Sequence, residues 1–164
     1  MILLNIGSNI NSGSCSRVDN IKDTITLLKE EDVKVIKVSS FYETPSYPNN
    51  SHPKYLNVAL QIEFNQNPNL LLKKILFIEK QMGRIRKKKN EPRVCDIDII
   101  DFNSLNLNSE KLILPHPKAH ERNFVLIPLK EICSNWVHPK INKKIDILID
   151  NLGIKLRNEI TRIK

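Results

Sequence analysis

Apolar residues recur along the chain with two different periods, and the points where the period changes mark out its elements. "ILLNIG" at residues 2–7 is an almost continuous apolar run and predicts a first, buried strand. The polar turn "GSNINSGSCS" ends on Ser16, a helix-capping residue, and Val18, Ile21, Ile25 and Leu28 then fall at helical spacing. "VKVIKVSSFYET", residues 33–44, alternates, with Val33 and Val35 on one side and Ile36 and Val38 on the other, and reads as one strand. "PSYPNNSHP" follows as a loop, with three prolines and two asparagines in nine residues. A third strand is predicted in "KYLNVALQIEF", where Tyr55, Asn57, Ala59 and Gln61 alternate with Leu56, Val58, Leu60 and Ile62. Asn67 and Pro68 form a cap and first-turn pair for a helix running to about Gly83. A fourth strand occupies "EPRVCDIDIID", residues 91–101, and a short one lies near "KLILP". Beyond residue 115 the pattern predicts a loop with two short helices and one more helix near 144–151. The order βαββαβ specifies an α+β, ferredoxin-like antiparallel sheet with helices packed on one face, the other face free, and a C-terminal extension. With 164 residues and no internal repeat, the chain fits a single domain, 1–164.

Two acids interrupt the fourth strand. Asp96 and Asp98 are two apart, so they point to the same face with Cα atoms roughly 6.6 Å apart. Like charges that close repel unless a cation sits between them. Carboxylate oxygens suit Mg²⁺, a hard cation that completes its shell with water and substrate phosphates, and two ions roughly 3.5–4 Å apart could share such a pair. Directly upstream, "RIRKKKNEPR" places six cations in ten residues. Arg84 and Arg93 can make bidentate bonds to phosphate, with Lys87 as a point charge. Cations for phosphate beside anions for metal are what phosphoryl transfer requires. Each feature alone is also what a solvated strand face or an exposed loop would show, just as Tyr55 and Phe124 are ordinary core aromatics and Glu79 an ordinary solvated helix residue. Their adjacency puts a phosphate site on an equal footing with these readings. None of the four glycines belongs to a G-x-x-x-x-G-K loop. His116 and His120 are four apart, but Pro117 lies between them and no third zinc ligand accompanies them.

Net charge is +8, which fits an anionic partner such as a nucleotide, although the joint richness in Lys, Asn and Ile accounts for scattered lysines without one. Three widely spaced cysteines, with no C-x-x-C pair, signal neither a disulfide framework nor a zinc cluster. No run of 18 apolar residues occurs, and "MILLNIG" lacks the cationic lead and cleavage site of a signal peptide. These features predict a cytoplasmic protein with no membrane partner.

Taken together, "IGSN", "SSFYETP", "YLN", "IEKQMGRIR", "PRVCDIDI", "LPHP" and "ERNFVLIPL" resemble, in order and from about residue 2 to 130, the 6-hydroxymethyl-7,8-dihydropterin pyrophosphokinase family of folate biosynthesis. The resemblance implies transfer of pyrophosphate from ATP to a pterin alcohol, with release of AMP. It implies Asp96 and Asp98 as ligands of two Mg²⁺ ions, and Thr44, Pro45, Tyr55, Asn57 and Phe124 as the pterin pocket. Glu79, Arg93, Ile99, His116 and Arg122 match positions that hold ATP, Lys111 stands at a further one, and Arg84 matches the loop arginine that acts in phosphoryl transfer or release; Arg93 and, from the charge of the loop, Lys87 are expected to join it on the phosphates. A flat heteroaromatic ring stacks well between Tyr55 and Phe124, and the Asn57 amide can both donate to and accept from its polar edge. No strong general base is needed. The chain departs from the family where Asn90-Glu91 stand in place of the usual Trp-Gly, where Lys111 and Ile113 replace an Arg and a Thr, and at Pro117.

Two other readings compete with the enzyme. A ferredoxin-like RNA-binding module would share the topology and the positive charge, but it needs stacking aromatics on the strand that here carries two acids. A retired paralogue would bind pterin or nucleotide without turnover. The enzyme reading expects small-molecule substrates, no nucleic acid and a monomer.

Overall fold

Strand β1 (Ile2–Ser8) is buried along its whole length, as its almost continuous apolar run requires, and is an interior strand of the main sheet. This computed structural model describes residues 1–46, 51–84 and 91–163. On one side β1 pairs antiparallel with β4 (Tyr55–Glu63), on the other with β5 (Asp96–Phe102). Residues 33–44 do not form the one strand that their alternation predicts. They form β2 (Lys34–Val38) and β3 (Phe41–Thr44), both antiparallel to β4 but against different stretches of it. Ser39 causes the break: its hydroxyl accepts the Ala59 N–H at 2.9 Å and donates to the Ser40 carbonyl at 2.8 Å. A side chain thereby takes the place of a ladder bond.

One face of the sheet carries α1 (Arg17–Glu30) and α2 (Pro68–Gln81). Each starts where its cap dictates. Ser16 and Asp19 form a reciprocal capping box, and the Asn67 side chain accepts from the Leu70 N–H at 3.0 Å, with Pro68 in the first turn. Their apolar stripes, among them Ile21, Leu28, Leu71, Ile75 and Ile78, pack with Leu4, Ile6, Val58, Leu60, Ile97 and Ile99 of the strands.

The second face is not free, contrary to the reading of its pattern. After β6 (Leu107–Asn108), β7 (Ile113–Leu114) and a 3₁₀ turn at Ala119–Glu121, helices α3 (Asn123–Ile132) and α4 (Ile145–Asn151) close over Leu3, Ala59 and Ile100, with Trp136 between them. The Trp136 indole N–H donates to Asp101 at 2.8 Å, so burial leaves that polar atom satisfied. This cover reaches only part of the face. Further along the same strands, Leu3 gives way to Asn5 and Gly7, Ala59 to Asn57 and Tyr55, and Ile100 to Asp98 and Asp96. In register, Gly7 stands between Asn57 and Asp96, and Asn5 between Ala59 and Asp98. The chain ends with α5 (Ile154–Asn158) and β8 (Thr161–Ile163), which adds a strand beside β3 that the sequence pattern does not predict.

Candidate active site

Asp96 and Asp98 stand together on the polar half of the second face, with side chains 26% and 31% exposed. Arginines meet both. The Arg84 Nη1 lies 2.6 Å from Asp96 Oδ1 and also pairs with Glu79, while Arg93 Nη1 lies 2.9 Å from Asp96 Oδ2. Arg122 Nη1 is 3.3 Å from Asp98 Oδ2, and His116 Nε2 is 3.9 Å from the same oxygen. Asp98 is nonetheless pushed up to about 6: burial acts first, the neighbouring Asp96 charge next, and Arg122 offsets only part. Negative charge at Asp98 is therefore under-compensated.

Glu79 is 2% exposed, not the solvated helix residue its position suggests. One of its carboxylate oxygens accepts the Ile97 N–H at 3.0 Å and meets Arg84, so it lies beneath the site and reaches it through that guanidinium. His116 follows a cis Leu114–Pro115 bond, and its backbone N–H donates to Ile100 at 2.9 Å. Its Nδ1 accepts from the Lys118 N–H at 3.1 Å, which puts the ring proton on Nε2, facing Asp98. Burial, reinforced by Arg122, holds this imidazole down at about 4, so it is neutral at physiological pH.

The residues matched to the pterin pocket also converge here. Thr44 and Tyr55 are register partners at the ends of β3 and β4, and the buried Asn57 amide donates to Thr44 Oγ1 at 3.1 Å. Pro45 follows at the strand end, half-buried. Burial raises the Tyr55 phenol, while the nearby Arg93 pulls the other way. Phe124, on the first turn of α3, lies 5.4 Å under the Arg122 guanidinium. Tyr55 thus joins the carboxylates through Arg93, and Phe124 through Arg122. Gly7, between Asn57 and Asp96 in the ladder, lies on the floor of the site: a Cβ there would come 3.3 Å from Asn57 Oδ1 and 3.5 Å from Tyr55 Cδ1.

Other positions fall elsewhere. The Ile99 side chain is buried in the core under α1 and α2, leaving only its backbone to the site. Lys111 is exposed in the turn between β6 and β7, without an ion pair among the described residues. Lys87 and the centre of the basic loop lie outside the described residues. Two asparagines escape a reading based on charge and period. Asn9, 1% exposed, accepts the Arg93 N–H at 2.7 Å and donates to the Pro53 carbonyl at 3.2 Å, tying both neighbouring loops to β1. Asn5, 3% exposed, faces Asp98 in register, and its side-chain carbonyl has no partner among the described residues. The only hint of Asn9 is its place in "IGSN"; Asn5 shows merely as a polar residue inside an apolar run.

A family model for 7,8-dihydro-6-hydroxymethylpterin-pyrophosphokinase matches residues 3–134. The chain belongs to that family. It is 41% identical over 129 residues to the 2-amino-4-hydroxy-6-hydroxymethyldihydropteridine pyrophosphokinase of Bacillus subtilis, covering 78% of this chain and 75% of that protein. To the folic acid synthesis protein of Pneumocystis carinii it is 34% identical over 138 residues, 84% of this chain but 18% of that one. Its fold matches the wild-type HPPK-DHPS of Plasmodium falciparum with a TM-score of 0.71 at 17% identity, over 99% of this chain and 48% of that one. The chain thus spans about half the solved chain, less than a fifth of the Pneumocystis protein and three quarters of the Bacillus enzyme. The family consists of pyrophosphokinases, with ATP as co-substrate.

The donors suit a hard divalent cation. Two carboxylates share one open face, Asp98 carries charge that Arg122 offsets only in part, and oxygen is the only ligand type they offer. No group of three or more His, Cys, Asp or Glu side chains poised for a metal occurs among the described residues, and a shell begun by Asp96 and Asp98 would leave positions for substrate oxygens and water. No helix among the described residues is long and apolar enough to cross a membrane.

Proposed function

We propose that this chain transfers the pyrophosphoryl group of ATP to the hydroxymethyl group of 6-hydroxymethyl-7,8-dihydropterin, giving the pterin diphosphate and AMP for folate synthesis. The observation that carries the reading is the paired carboxylates Asp96 and Asp98 on the open half of a sheet face, ringed by Arg84, Arg93 and Arg122 and bordered by the Thr44–Asn57–Tyr55 pocket. Asp96 and Asp98 would hold two Mg²⁺ ions, which when bound neutralise phosphate charge and acidify the attacking hydroxyl. The three arginines, countercharges to the acids in the free protein, become donors to phosphate oxygens. Neutral His116, with its proton on Nε2, adds a donor that carries no charge of its own. Asn57 and Thr44 hold the polar edge of the pterin and fix its orientation, while Tyr55 and Phe124 give its faces apolar cover and exclude water. Positioning and charge stabilisation then supply the rate, without a strong base.

We also read the βαββαβ unit as ferredoxin-like, the whole of 1–164 as one domain, and the enzyme as a cytoplasmic monomer acting on small molecules. A coupled assay for AMP tests the activity against its rivals. AMP formation dependent on both the pterin alcohol and ATP supports the enzyme; saturable ligand binding without AMP supports a retired paralogue and overturns the proposal.

A further inference from the structure

Away from the carboxylates, Arg17, the first residue of α1, ties together the ends of the two strands that carry Thr44 and Tyr55. Its guanidinium forks, with Nη1 donating to the Lys54 carbonyl at 2.7 Å and Nη2 to Glu43 Oε1 at 2.9 Å. Lys54 Nζ lies 3.1 Å from the other oxygen of Glu43. The three residues close a ring across the ends of two strands. Glu43 immediately precedes Thr44 on β3, Lys54 immediately precedes Tyr55 on β4, and Thr44 and Tyr55 are partners in the ladder. Arg17 is itself anchored, because the Ser16–Asp19 capping box fixes the start of its helix. Side chains alternate across a strand, so Glu43 points to the helix-covered face while Thr44 turns to the site. Arg17 therefore acts on the pocket from behind the sheet and touches no substrate.

We propose that Arg17 is a positioning residue for the pterin, setting the spacing and register of Thr44 and Tyr55, and through Thr44 the orientation of Asn57. This rests on the pterin reading above. Arginine suits the task because its planar fork engages a carbonyl and a carboxylate at once, which the single ammonium of lysine does not. Arg17 and Glu43 side chains are 30% and 21% exposed, so water only partly competes for these bonds. Small shifts of groups that orient a substrate carry large kinetic effects.

The test compares Arg17→Ala, Arg17→Lys and Glu43→Gln with the unaltered chain in steady-state kinetics, nucleotide titration and thermal melting. Arg17→Ala should raise the pterin KM about tenfold while kcat and affinity for a non-hydrolysable ATP analogue stay within about twofold. Arg17→Lys should recover part of that loss, and Glu43→Gln should raise the pterin KM in the same direction. An unchanged pterin KM, or a loss shared equally by pterin and nucleotide, overturns the proposal. If Arg17→Ala does not fold, the Glu43→Gln result decides alone. Turnover by the unaltered chain separates the two claims: its absence sinks the proposed function, whereas its presence with indifferent variants sinks only the role of Arg17.

Discussion

Replacing Asp98 by Asn should abolish turnover yet make the ligand-free protein more stable. In the fold the Asp98 carboxyl is pushed from 3.8 up to about 6, first by burial and then by Asp96, even with Arg122 alongside. A rise of roughly two units at ~1.4 kcal/mol each sets an upper bound of about 3 kcal/mol for holding this group ionised at pH 7. Because its side chain is 31% exposed, solvent screening brings the expected gain to about 1–2 kcal/mol. The pH window follows from the same shift. Between about 3.8 and 6 the folded state binds more protons at Asp98 than the unfolded chain does, so this group erodes stability as pH rises through that range. Above about 6 its full cost is present; below 3.8 it vanishes. Urea denaturation in EDTA, at pH 7.5 and again near pH 4, should therefore show Asp98→Asn more stable than the unaltered chain at the higher pH, with the gap closing at the lower. Equal stability at pH 7.5, or a gap indifferent to pH, would refute the reasoning.

Asp96→Asn should behave differently: activity should fall by about 100-fold or more, but without the gain in stability, because Asp96 is the countercharge for both Arg84 and Arg93; the same urea series, run beside kinetics, separates the two acids. Gly7→Ala should leave the fold intact and raise the pterin KM several-fold, since the new methyl would press on Asn57 and Tyr55; an unchanged KM would mean that the pterin does not lie over β1. The Cys95 thiol is pushed up to about 12, chiefly by burial, and so stays protonated at pH 8. Titration with a thiol reagent should find it silent until denaturant is added, with the half-buried Cys15 reacting first.

Where the period is strong, the sequence pattern and the structure agree: β1, α1, β4 and α2 follow from apolar spacing and from the caps at Ser16 and Asn67, whereas β5 starts at Asp96 rather than at residue 91, because Pro92 has no N–H to give a ladder and the Arg93 N–H goes to the Asn9 side chain. What the pattern hid was contact between distant segments. Leu3, Ala59 and Ile100 each contribute a single side chain to the second face, so nothing local announces that Leu126, Leu129 and Trp136 will cover them. The split of residues 33–44 turns on one serine hydroxyl bonding across the sheet, and β8 is too short and too polar to register as a strand. At the site, Asp96 and Asp98 stood out because an acid within an apolar strand needs a cause. Glu79 did not, since its burial depends on the Ile97 N–H and on Arg84, both brought to it by the tertiary fold. Asn5 and Asn9 act through hydrogen-bond geometry, which neither charge nor periodicity encodes.

The central claim, attack at the β-phosphorus of ATP, is tested most directly by ³¹P NMR of a reaction containing the pterin alcohol, ATP and Mg²⁺. Equimolar AMP and pterin diphosphate, with neither product formed when the pterin is omitted, is the predicted result. ADP with a pterin monophosphate, or nucleotide hydrolysis indifferent to the pterin, would contradict the account.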